Sequence, residues 1–275
     1  MAAHLQGHQV HPEGRRWKTH FPNGDLWVFG YGSLIWKPPP HFEHYLTFST
    51  QINEYRAIST AMYGGSGSAD HRGTPEKPGR VVTVIERNFW ETLDDPLAHL
   101  ESEQHSTGKV WGAAYHIPAS HAEEVHDYLD EREINGYTAH FTPFHATSGE
   151  STSSAATGPG GEGSAPIVCM VYIGQPSNPQ FLRDAGERAP EDVARVISSR
   201  HGKSGKNTEY LYLLEKALEG IGLGSADVHV TDLVRRVKAI EAAGLGEAEE
   251  KEAERDVERY VASGGEPSLH GDRIE

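Results

Sequence analysis

Five short runs of strand-forming residues constrain this chain more than any other feature: Leu26 to Phe29, Val81 to Glu86, Val110 to His116, Tyr137 to Phe144 and Ile167 to Ile173. They are rich in Val, Ile, Phe and Tyr and only partly alternating. That composition is expected where both faces of a strand are covered, by a barrel interior or by packed helices. Helical periodicity lies between and after them. Ala122 to Glu133 places Val125, Tyr128, Leu129 and Arg132 at i, i+3, i+4 and i+7, and Asn135-Gly136 follows as a stop signal. Pro190 to Ser199, Thr208 to Gly220 and Asp227 to Ala242 repeat the pattern, with apolar sets such as Leu211, Leu214, Leu218 and Leu233, Val237, Ile240. The expectation is an α+β fold with a helix-rich C-terminal half.

The 275 residues are 36% apolar, enough for one large domain. Residues 1–25 read as a disordered tail, 26–243 as a single domain and 244–275 as a charged tail that frays. Residues 147–166 are built almost wholly from Ser, Thr, Gly, Ala, Glu and Pro and read as a flexible insertion, since such a segment buries too little apolar area to order itself. Arg87 to Lys109 is a second polar connection, with a short helix expected around Pro96 to Glu103. The lone Cys169 sits in an apolar run, so no disulfide forms within the chain and a reducing, cytoplasmic setting is expected. The first 25 residues lack the apolar core of roughly 7 to 15 residues that a secretory signal needs. No run is long enough to cross a membrane. The formal charge of -15 opposes binding to nucleic acid or an anionic membrane. An anionic ligand has to be held locally, by backbone N–H groups or a few arginines.

Two segments could carry chemistry. In Val28-Phe29-Gly30-Tyr31-Gly32-Ser33-Leu34-Ile35-Trp36 a strand runs into two glycines and a serine. Glycine permits positive φ and close backbone approach. Successive N–H groups in such a turn can hold a carboxylate or an oxyanion of acyl transfer. On pattern alone the plainer reading, a tight turn after a strand, is the stronger. A dinucleotide loop fits poorly, because Ile35 stands where the third glycine would be.

The second segment is the helix end from Asp127 to Tyr137. Glu133 falls on the apolar stripe of Val125 and Leu129, whereas Asp130 and Glu131 point to the wet side. Burial and the negative helix end would both raise its pKa toward the range useful for proton transfer. Its plainer role is an ion pair with Arg132 or another arginine. Asp70-His71-Arg72-Gly73 and Pro78-Gly79-Arg80 bring two arginines to a loop, where they either hold carboxylates or are merely solvated. The 17 histidines include local pairs such as His41 and His44. No Cys or carboxylate follows these at ligand spacing, so no metal is expected. Cys169 reads as a buried core thiol rather than a nucleophile.

Taken in order, these segments resemble the ChaC family of glutathione-specific γ-glutamylcyclotransferases, particularly its fungal members, from Trp27 to about Ile240. The most specific pieces are Trp27 to Trp36, Asp70-His71-Arg72-Gly73 and Pro78 to Thr83. Trp111-Gly112-Ala113-Ala114-Tyr115, Arg132-Glu133, Gly136-Tyr137, Tyr172-Ile173-Gly174 and Asn207 to Leu211 follow. The resemblance implies a small mixed β-barrel flanked by helices. It implies conversion of glutathione to 5-oxoproline and cysteinylglycine without a cofactor. Glu133 matches the family's catalytic glutamate, and Gly30, Tyr31, Gly32, Ser33, Leu34 and Ile35 match its substrate loop. Arg80 and Tyr137 are added as substrate contacts by position. Glu54 to Gly65 departs from the family pattern, which puts one barrel strand in question. It also leaves two alternatives: a non-enzymatic interaction or regulatory protein keeping the fold, and a cyclotransferase for other γ-glutamyl peptides.

Overall fold

A computed structural model describes residues 14–50, 55–58, 72–94, 110–132, 137–144, 167–178, 181–221, 227–244 and 247–263. Strands β1 (Leu26–Gly30), β2 (His44–Thr50), β5 (Val110–Ile117), β6 (Tyr137–Phe144) and β7 (Ile167–Gly174) form one sheet in the order β2-β5-β1-β7-β6. Only β1 and β7 run parallel, and the other three pairings are antiparallel. Strands β3 (Tyr55–Ile58) and β4 (Thr83–Glu86) form a separate antiparallel ribbon.

Period-two alternation divides the apolar residues between two cores. On one face Leu26, Val28, Tyr115, Ile117, Met170 and Tyr172 pack under Ala122, Val125 and Leu129 of α2 (Ala122–Arg132). On the other, Phe29, Ala114, Cys169, Val171 and Ile173 pack with Val84 of the ribbon. Both faces are thus covered, which explains why the runs alternate so weakly. The expected barrel needs correction, because among the described residues the sheet does not close. It is an open mixed sheet with β2 and β6 at its edges and the ribbon laid across one face.

A third core joins α3 (Pro190–Ser199), α4 (Asn207–Gly220) and α5 (Val228–Ala242). Val193, Ile197, Leu211, Leu214, Leu233 and Val237 meet there, each buried side chain contributing roughly 1.5–3 kcal/mol. Asp227, read as the start of α5, is its cap. Its carboxylate accepts from the N–H groups of His229 (2.9 Å) and Val230 (3.1 Å).

Several segments differ from expectation. Part of the supposed N-terminal tail forms a 3-10 turn over Gly14–Thr19, and Trp17 and Phe21 enter the α2 core. Strand β2, in which Leu46 and Phe48 alternate with Thr47 and Ser49, was not among the runs read from sequence, and β5 supplies its pairing along the whole length. In the departing stretch, Tyr55–Ile58 pairs in register with β4, so that much of the strand is intact. Residues 247–262, expected to fray, form α6 (Glu247–Ala262). Lys77 reaches Glu252 and Asp256 there, both at 3.1 Å, and Lys203 lies over the Tyr260 ring. The insertion 147–166, the helix around Pro96 to Glu103 and Glu133 lie outside the described residues. A four-residue α1 (Arg87–Trp90) and two-residue strands β8 (His201–Gly202) and β9 (Gly205–Lys206) complete the order.

Candidate active site

Strand β1 ends at Gly30 and the chain turns through Gly32 into a 3-10 turn over Ser33–Ile35. Neither glycine has positive φ, so of the two freedoms glycine offers it is close approach that the turn uses. A β-carbon on Gly30 would lie 2.5 Å from that of Leu34. One on Gly32 would lie 2.9 Å from Val82 Cγ1 and 3.3 Å from the Tyr210 hydroxyl. The turn is closed by Ile35 N–H donating to the Gly32 carbonyl (2.9 Å) and Lys37 N–H to that of Ser33 (2.8 Å). The N–H groups that open such a turn have no acceptor within it. Those of Gly32, Ser33 and Leu34 donate to no backbone carbonyl among the described residues.

The loop is clamped from both sides. Below it, the Tyr115 hydroxyl donates to the carbonyls of Leu34 (2.7 Å) and Ile35 (3.2 Å). Burial, and after it the neighbouring Tyr45, push the Tyr115 phenol well above its ordinary pKa, so it stays a donor. Tyr31 donates to the Tyr172 carbonyl at 2.8 Å, and the Tyr172 hydroxyl donates to Asp130 on α2 at 2.7 Å. Arg132, the last residue of α2, donates from Nη2 to Ser33 Oγ. The helix end is therefore hydrogen-bonded directly to the loop. Beyond Ile35 and Trp36 opens a largely apolar cleft of about 420 Å³, with Lys216 its one basic lining residue among the described residues.

The two candidate arginines part company. Arg72 is buried and structural: Nη1 donates to the Lys206 carbonyl (2.8 Å) and to Glu209 (3.2 Å), and the guanidinium lies over the Tyr210 ring. Arg80 is half-buried, and Asn207 brackets its backbone by accepting from its N–H (2.6 Å) and donating to its carbonyl (2.7 Å). Burial and then the charge of Arg200 lower its pKa from 12.5 to about 10, with Glu187 opposing, so it remains cationic at neutral pH. Cys169 is fully buried, which raises its thiol pKa and removes it as a nucleophile.

A family model described as ChaC-like protein matches residues 26–240. The chain belongs to the ChaC-like family. Among curated relatives, the glutathione-specific gamma-glutamylcyclotransferase of Schizosaccharomyces pombe is 38% identical over 227 residues, 80% of this chain and 96% of the relative. The Saccharomyces cerevisiae protein of the same name is 36% identical over 230 residues, 76% of this chain and 92% of the relative. A crystal structure of gamma-glutamyl cyclotransferase specific to glutathione from yeast superposes with a TM-score of 0.61. It has 30% sequence identity and covers 78% of this chain and 96% of that one.

Of the residues picked from sequence, Gly30 to Ile35 form one continuous loop in this ChaC-like fold. Tyr137 opens β6 opposite Gly174 and packs against the core that holds Leu129 and Tyr172. Arg80 is two residues from Val82, whose side chain crowds Gly32. Sequence reasoning missed Arg132 as a loop ligand and Tyr115 as the loop's support. Tyr115 had a signal, since its inward place in Trp111-Gly112-Ala113-Ala114-Tyr115 leaves a buried hydroxyl in need of an acceptor.

Proposed function

We infer that this chain degrades glutathione by intramolecular aminolysis, releasing 5-oxoproline and cysteinylglycine. The carrying observation is the hydrogen bond from Arg132 to Ser33, which fastens the end of α2 to the glycine loop. Glu133 follows Arg132 in the chain, and Arg132 is bonded to a loop whose Gly32, Ser33 and Leu34 N–H groups donate to no backbone carbonyl among the described residues. Glu133 takes a proton from the substrate's α-ammonium. The freed amine attacks the γ-glutamyl carbonyl carbon, forming the ring C–N bond. N–H groups of Gly32, Ser33 and Leu34 receive the oxyanion. When the bond to cysteinylglycine breaks, Glu133 returns the proton to the departing amine, and the ring nitrogen's remaining extra proton passes to that more basic amine, leaving the lactam N–H and an ammonium. Gly30, Tyr31 and Ile35 shape the loop, and Arg80 and Tyr137 contact the substrate's more distant polar groups. Because amine and amide share one molecule, the protein's main task is to fold glutathione into its reactive geometry. The buried lone thiol accords with a cytoplasmic setting.

Purified protein incubated with glutathione should accumulate 5-oxoproline and cysteinylglycine in equal amounts. Glu133→Gln should keep the parent's melting temperature and lose turnover by about a hundredfold or more. A fully active variant would remove Glu133 from this role. Turnover of other γ-glutamyl dipeptides with none of glutathione would move the assignment to the broader cyclotransferase reading, and no turnover of either would favour a non-enzymatic one.

A further inference from the structure

At the end of β1 remote from Gly30, the β2–β5 ladder sets His44 directly opposite His116. Their rings stack at 4.5 Å with 24° between planes, and Trp27 packs against both. Glu43 is fixed beside them, its own N–H donating to the His116 carbonyl at 3.0 Å. One ligand atom from each of Glu43, His44 and His116 lies within 4.8 Å of the others. Asp25 stands behind His116, with Oδ2 3.3 Å from Nε2, and is itself held by the Ala119 N–H at 3.0 Å. On the other side of the ring, Nδ1 is shut off from solvent, makes no hydrogen bond among the described residues and lies 3.4 Å from Glu43 Oε2.

A neutral imidazole has one N–H. With that hydrogen on Nε2 and directed at Asp25, Nδ1 keeps a lone pair on the side of the Glu43 carboxylate, and the second imidazole stacks beside it. Three electron-pair donors gathered within 4.8 Å of one another invite a cation. A carboxylate behind the distal nitrogen of a histidine is the arrangement that orients a metal ligand and raises its basicity. Register pairing places His44 and His116 on a ladder, with Glu43 one residue before it and tied to it by the bond to the His116 carbonyl, which favours a preorganised site.

We propose that Glu43, His44 and His116 form a binding site for a divalent cation of the zinc type, with Asp25 as the positioning residue behind His116. Two imidazoles and a carboxylate suit such an ion, with water completing a tetrahedral shell. Sequence spacing missed it because strand pairing, not sequence proximity, brings His116 to the Glu43-His44 pair. The site is separate from the glycine loop and does not depend on the reaction proposed above.

The test is calorimetric titration of the full, untagged, chelator-treated chain with zinc chloride, together with thermal melts. The parent should bind one equivalent, and at a hundredfold excess over Kd its Tm should rise by about 5 °C. His44→Ala and Glu43→Gln alter exposed side chains and should each weaken binding roughly tenfold or more while leaving turnover of glutathione unchanged. Asp25→Asn should weaken it roughly tenfold with the stoichiometry still one, as expected of a residue acting through His116. The neighbouring group His41, His121 and Glu124 is the internal control, and His121→Ala should bind zinc like the parent. No binding by the parent would mean that the three side chains are gathered for packing alone, and the proposal fails. It fails equally if zinc binding survives in both His44→Ala and Glu43→Gln, or disappears in His121→Ala.

Discussion

Gly32 has no room for a β-carbon, since Val82 Cγ1 stands 2.9 Å from where it would be and the Tyr210 hydroxyl 3.3 Å. Val82 belongs to the helical core and its N–H donates to Tyr210, so neither neighbour is a loose chain end that swings aside. Gly32→Ala should therefore displace the loop and cost roughly 1–3 kcal/mol of overpacking, read as a lower midpoint in denaturant melts alongside lost turnover. An unchanged midpoint would show that the loop is slack. Ser33 poses a different question, because its hydroxyl binds the loop to Arg132 without being buried. Ser33→Ala deletes a hydrogen bond to a charged donor, a contribution of about 1.5–3 kcal/mol when fully expressed. If that bond orients the loop for the reaction, kcat/KM should fall roughly tenfold with little change in Tm. Equal losses in kcat/KM and stability would instead make Ser33 a structural residue.

Among the elements, Pro190–Ser199 and Tyr137–Phe144 agree with their sequence readings to the residue, because each carries its own punctuation: Pro190 opens a helix, and β-branched and aromatic residues fill a strand. What could not be read was what depends on partners. Strand β2 exists through β5, and α6 is fastened by Lys77 and Lys203 from distant segments. The candidate site divides in the same way. The glycine loop was visible as a local pattern, whereas Arg132 reaching Ser33 and Asn207 bracketing Arg80 are contacts between distant elements. Packing of α3 on α5 supplies a testable case. Burial alone would raise the pKa of Asp232, but hydrogen bonds from Arg236 (2.6 Å) and Arg235 (2.5 Å) outweigh it and hold the carboxyl below its ordinary 3.8. Arg236 also binds Glu191 on α3, joining the two helices. A depressed carboxylate pKa gives stability that is present above the unfolded value and lost as pH falls through the folded one. Asp232→Asn should thus destabilise by up to about 1 kcal/mol at pH 7. The gap from the parent should close below about pH 4. A gap that persisted in acid would mean packing, not charge, is responsible.

For the molecule as a whole, the charge of -15 sets a problem that the proposed reaction has to solve. Glutathione at neutral pH carries two carboxylates against one ammonium, so protein and substrate repel one another at long range. In the proposed reaction Arg80 and Arg132, both partly buried, would offset this only at short range, where salt screens them less than it screens the surface. The Debye length falls from about 30 Å in 0.01 M salt to about 8 Å at 0.15 M, which removes most of the distant repulsion and little of the local attraction. Raising salt across that interval should increase kcat/KM for glutathione by about twofold, the reverse of a protein that steers its substrate by surface charge. Steady-state kinetics at constant pH and temperature read the sign directly. A fall in kcat/KM would mean that exposed cations near the loop govern capture and that the acidic surface lies too far away to matter. Either sign separates local recognition from the overall field, because the two act over distances on opposite sides of the screening length.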